Sequence, residues 1–187
     1  MRLKSFVMRH CTSLTMPKVY VGIGSRETPV EALRWMTGLA EHLAVEGWHL
    51  RSGYAVGADM AFYEGAVERG TFTNYIPWIR FNNAPRYDPR WVVPRFIPKL
   101  MNIAASMHPN WNACSQAVKN LHARNVCQIL GENLDSPCKM VVCWTPGGYG
   151  GGGTGQAIRI AKNYNIPVFD LYREKDREDL GDLLDNN

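Results

Sequence analysis

The sequence lacks any apolar run near the ~18 residues of a membrane-spanning helix, so no membrane partner is expected. Its five cysteines, Cys11, Cys114, Cys127, Cys138 and Cys143, are odd in number and form no C-x-x-C pair. That disfavours both a disulfide framework and a zinc ribbon, and points to a reducing cytoplasm with no metal site. No G-K-[ST] follows the glycine tract, and no G-x-G-x-x-G follows the first strand pattern. Support for an ATPase or a dinucleotide-dependent dehydrogenase is therefore missing, and no cofactor is expected. The opening MRLKSFVMRHCTSLTMPK is basic but holds no apolar core of the ~7 residues a signal peptide needs. Residues 1–17 are read as an N-terminal extension, with Met16 as an alternative start. There is no internal repeat.

What is present fits one globular domain. Hydrophobic residues make up 45% of the 187 and charged residues 20%, enough to bury about two thirds of the unfolded surface. Residues 173–187 form an acidic tail with three basic and six acidic side chains, so the net +4 divides into −3 there and +7 elsewhere. A basic body suits an anionic ligand.

Hydrophobic period organises residues 18–172. VYVGI (Val19 to Ile23) reads as a buried strand, and Leu33, Met36, Ala40 and Leu43 recur at helical spacing between Pro29 and Glu46. Trp48 to Arg51 predicts a second strand, Asp59 to Arg69 a second helix and Thr73 to Trp78 a third strand. From about 80 to 110 the chain has no clear period and reads as an inserted lobe or lid. Trp111 to Leu130 predicts a helix, Lys139 to Trp144 a buried strand, Thr154 to Tyr164 a helix and Ile166 to Leu171 a last strand. Strands alternating with helices imply an α/β, Rossmann-like, doubly wound parallel sheet with ligands at the strands' carboxyl ends.

Three glycine-bearing segments fall at those ends. Between Gly147 and Gly155 seven of nine residues are glycine. Gly147, Gly148, Gly152, Gly153, Thr154, Gly155 and Gln156 could surround a phosphate with bare N–H groups and the positive end of a helix dipole. The alternative is a glycine hairpin without a ligand. The first strand delivers Gly24, Ser25 and Arg26, whose guanidinium forks onto phosphate or carboxylate; the alternative is plain turn chemistry. The second delivers Ser52, Gly53, Gly57 and Asp59, which either caps a helix or accepts hydrogen bonds from ribose or base. Aromatics and arginines interleave in the insert, as in a single-strand binding surface or in a small satellite core.

RSGYAVGADMAFYEGA, with GIGSR before it, and GGTGQAIRIA after a hydrophobic strand resemble the SLOG superfamily, which includes the DprA/Smf DNA-processing proteins and the Lonely Guy phosphoribohydrolases. The short DprA-like SLOG proteins of bacteriophages and bacteria are the most similar. Lonely Guy enzymes carry M-H-x-R-K, for which Leu121, His122, Ala123, Arg124 and Asn125 stand here, and P-G-G-x-G-T-x-x-E, which begins at Pro146. Ala157 occupies the place of the catalytic glutamate. The resemblance implies a nucleotide or nucleotide-derived ligand and, as one option, N-glycosidase or phosphoribohydrolase activity. Asp59, Glu64 and Arg124 are then the candidate catalytic residues. Two other options stand: single-stranded DNA binding, and a non-catalytic sensor or sequestering protein for a nucleotide signal. A homo-oligomer is expected.

Overall fold

In chain order the elements are β1 (Val19–Gly24), α1 (Val30–Val45), β2 (His49–Ser52), α2 (Ala58–Ala66), β3 (Phe72–Tyr75), β4 (Trp91–Val92), α3 (Pro98–Ser106), α4 (Gln116–Leu130), β5 (Met140–Trp144), α5 (Gly152–Asn163), β6 (Val168–Asp170) and α6 (Glu174–Asp185). This computed structural model describes residues 18–186. The expected N-terminal extension lies outside the described residues. Among those described, no helix is long and apolar enough to cross a membrane.

Alternation along the strands builds two cores. Tyr20 of β1 and Met140, Val142 and Trp144 of β5 enter one hydrophobic cluster; Val19, Val21, Ile23, Val141 and Cys143 enter the other. Strands buried on both faces read as continuous apolar runs, which is why these two were the plainest in the sequence. The sheet has six strands in the order β4-β3-β2-β1-β5-β6, and every neighbouring pair is parallel. Helices α1, α2 and α6 cover one face and α3, α4 and α5 the other.

Some boundaries differ from expectation. The third strand stops at Tyr75 rather than Trp78, with Pro77 unable to extend a ladder as donor. Helix α4 starts at Gln116, where the Ser115 hydroxyl accepts the Val118 N–H at 3.4 Å as an N-cap; residues 111–113 form a separate 3-10 turn. The stretch from 80 to 110 contributes the edge strand β4, paired Asn74 to Trp91, and α3, which packs on α4. Residues 174–185, expected as an acidic tail, form α6, whose Leu180 is fully buried.

Candidate ligand-binding cleft

β1 lies between β2 and β5, and the chain leaves β1 and β5 towards opposite faces, through α1 and α5. Such a switch point opens a crevice at the strands' carboxyl ends. A cleft of about 970 Å³ lies there, lined by the end of β1, the start of α2, the polar side of α4 and the glycine loop into α5. That volume is at the upper end of the range for small-molecule sites.

Its floor is an ion pair. Asp59, in the first turn of α2, accepts the Gly24 N–H at 3.2 Å and the Ala55 N–H at 3.5 Å, and its Oδ2 lies 3.5 Å from Arg124 Nη1. Both residues are buried, at 4% and 6% exposure. Arg124 reaches Asp59 across β2 because residue 53 is glycine: a Cβ there would stand 1.1 Å from Nη1 and 2.6 Å from Gln128 Nε2. Gly57, at φ +92°, lets the turn pass against the Ser25 and Arg26 backbone. Burial pushes the Asp59 carboxyl above its ordinary range, while Arg124 and the two N–H groups pull it back. Burial likewise lowers Arg124, but a guanidinium stays protonated at any physiological pH.

Arg124 Nε and both amide atoms of Gln128 are buried with no hydrogen-bond partner, while Arg124 Nη1 is held by the Asp59 ion pair. Buried polar groups are paired in most folded proteins, and each orphan costs about 1–3 kcal/mol. Other such atoms lie elsewhere, on Tyr20, Asn74 and Trp91.

The opposite wall is the glycine loop. Thr145 anchors it: its N–H and hydroxyl donate to Asp170, and its Oγ1 accepts the Gly150 N–H at 3.0 Å. A Cβ at Gly151, Gly152 or Gly153 would meet nothing within 4 Å. The N–H groups of Gly152, Gly153 and Thr154 precede the first bond of α5, from Gly155 to the Gly151 carbonyl at 3.0 Å, so they carry the positive end of the helix dipole. Arg26 and Arg159 are exposed at the rim, and Glu27 and Asp59 are the carboxylates of the lining.

The structure brings Gly24, Ser25, Arg26, Asp59, Arg124, Gly152, Gly153 and Thr154 to this cleft. It places others behind it. The Ser52 hydroxyl donates to the Gly22 carbonyl at 2.6 Å. Gly147 and Gly148 face Tyr149 and Arg173, and Gly155 packs on the Gly150 carbonyl. Gln156 is fully buried and bonded to His122, Asn125 and Ala104. Glu64 is exposed on α2, away from the lining.

Sequence reasoning missed Gln128 as a floor residue, along with His108, Asn125 and Arg159. The i, i+4 spacing of Arg124 and Gln128 was the available signal, two polar residues on one face of the buried C-terminal half of α4. The insert's aromatics mostly pack inward: Trp91 meets Phe72, Tyr54 and Tyr63 edge-on, with Arg90 over the Phe72 ring at 4.5 Å. Among the described residues no group of three or more His, Cys, Asp or Glu is placed to hold a metal ion.

No protein-family model matches the chain, and no curated protein matches it. Solved structures do. DNA processing protein A (DprA) from Helicobacter pylori, described in a single-stranded DNA binding mode, aligns at a TM-score of 0.53 and 19% identity over 82% of this chain and 65% of that one. The fold is Rossmann-like. DprA from Streptococcus pneumoniae aligns at 0.52 and 18% identity, over 83% of this chain and 50% of that one. The Moco carrier protein from Chlamydomonas reinhardtii aligns at 0.50 and 19% identity, over 92% and 86%. The chain thus spans 65% and 50% of the two DprA structures.

Proposed function

We propose that the cleft binds a nucleotide or nucleotide-derived ligand, with its phosphate at the start of α5 and its remaining polar groups over the Arg124–Asp59 floor. The observation that carries this reading is the bare backbone of Gly151, Gly152 and Gly153 at the start of α5, open to the cleft and facing Arg26. The reading includes a place in the SLOG superfamily, which the Rossmann-like fold and the glycine-bearing strand ends support. Arg26 and Asp59, on neighbouring strand ends, meet opposite ends of the ligand.

Catalysis by the Lonely Guy arrangement is weak or absent. Ala157, 1% exposed, puts a methyl group on the lining where that arrangement has its glutamate. Arg124, held in the floor by Asp59, acts on the ligand in ground and transition states alike, which binds substrate without speeding the reaction. Any base release depends on Asp59, because Glu64 does not line the cleft.

A thermal-shift screen of nucleoside mono-, di- and triphosphates tests the binding. At a hundred times Kd the best binder stabilises the fold by about 2.7 kcal/mol. Single-turnover base release from that binder, measured for the parent, Asp59→Asn and Glu64→Gln proteins, then tests the chemistry. Rapid release that survives Asp59→Asn refutes the role given to Asp59.

The fold shared with the DprA structures favours a second reading, single-stranded DNA along the open, arginine-rimmed cleft. That reading requires oligonucleotide affinity that falls steeply with salt.

A further inference from the structure

His122 sits where α4, α5 and the connection before α4 meet, on the lining of the cleft. Its Nδ1 lies 3.1 Å from Gln156 Oε1. The other contacts of Gln156 decide which atom holds the hydrogen. Gln156 Nε2 donates to the Ala104 carbonyl at 2.9 Å, which turns Oε1 towards His122. Oε1 also accepts from Asn125 Nδ2 at 3.0 Å. An amide oxygen can only accept, so His122 Nδ1 donates and carries the hydrogen.

In a neutral ring this leaves the lone pair on Nε2. Among the described residues Nε2 has no protein partner, and it is not among the atoms sealed from solvent. Burial holds the imidazole below its usual value; the Gln156 bond works against burial, while His108, Arg159 and Arg124 add to the lowering. His108, from the connection, lies with its ring centroid 4.4 Å away; Arg124 is on α4 itself and Arg159 is on α5. The part of α3 in this network is the Ala104 carbonyl, reached through Gln156.

We propose that His122 is a proton acceptor of fixed tautomer, taking a hydrogen bond at Nε2 from a hydroxyl or amino group of the bound ligand. The ligand half of this proposal rests on the nucleotide reading above; the tautomer half does not. A nucleotide offers such donors in its ribose hydroxyls and exocyclic amine, and none in a phosphate dianion. Gln156 acts as a positioning residue, holding the ring and its hydrogen.

The test is long-range proton–nitrogen NMR of the imidazoles in the full-length, nitrogen-labelled protein, with His122 assigned through His122→Gln. At neutral pH the expected pattern is a protonated Nδ1 and an unprotonated Nε2. Gln156→Glu keeps that pattern and raises the titration midpoint, whereas Gln156→Leu mixes the tautomers; if the latter does not fold, the parent spectrum still decides. Saturating AMP, with binding checked by calorimetry, shifts the Nε2 resonance. Loss of the shift with 2′,3′-dideoxy-AMP identifies a hydroxyl donor, and loss with IMP identifies the amine.

A protonated Nε2 in the ligand-free protein overturns the proposal whatever AMP does. AMP bound with the Nε2 resonance unmoved overturns the ligand half. Failure of AMP to bind counts against the nucleotide reading alone, and the ligand-free tautomer then decides for His122.

Discussion

At Gly53 a missing side chain decides where a charge goes. Because Arg124 Nη1 occupies the space a Cβ would need, Gly53→Ala should push the guanidinium off Asp59 and leave a buried carboxylate short of its partner. The loss approaches the about 3–5 kcal/mol typical of breaking a buried pair, and denaturant unfolding at pH 7 measures it. An unchanged midpoint would show that Arg124 can relocate freely. Asp59 also makes stability depend on pH. Its folded pKa is raised above the reference 3.8, so between pH 3.8 and the folded midpoint the native state holds a proton that the unfolded state has lost. The group's contribution is therefore full below pH 3.8 and falls as pH rises through the folded midpoint. Unfolding of the parent and Asp59→Asn across that range should show the decline in the parent only. Gly24, Arg26 and Asp59 were legible from strand-end position and residue type, and Arg124 from the resemblance to the M-H-x-R-K motif. Gln128 was not, because a glutamine gives no sign in sequence of being fully buried, and its burial depends on a glycine far along the chain.

Element by element, what the sequence showed depended on length. β1 and β5 are apolar runs of six and five residues, and α1 spans sixteen, long enough for a period to appear. β4 has only two residues, and α3, though as long as α2 at nine, is masked by the prolines and aromatics around it. α6 was hidden for another reason: its acidic residues dominate the composition, and a few apolar positions dock it. Leu180 is fully buried against the cluster that includes Phe169 and Leu171, and Asp176 accepts the Asp170 N–H at 2.8 Å. Leu180→Ala should cost about 2–5 kcal/mol by denaturant unfolding. A cost near zero would mean that α6 merely rests on the sheet. Because Asp170 also holds Thr145 at the base of the glycine loop, α6 supports the cleft wall from behind.

Across the whole molecule, the parallel sheet places three chain segments around one crevice: Gly24 and the run from Gly150 to Gly153 line it, and Gly53 makes room for Arg124 beneath it, a strand-end placement that the sequence pattern already carried. The chemistry was less readable, since it depends on which polar atoms end up partnered. The central claim is that the bare backbone at the start of α5 holds an anion. Gly153 has no neighbour within 4 Å of a built Cβ and does not have a positive φ, so Gly153→Val fits the free protein, whereas Gly152, at φ +62°, would be strained by the same change. The deciding measurement is calorimetric titration of the best-binding mononucleotide into parent and Gly153→Val proteins of equal thermal stability. The account predicts saturable binding to the parent and at least about a tenfold loss, 1.4 kcal/mol, in the variant. Equal affinity in both proteins would contradict it.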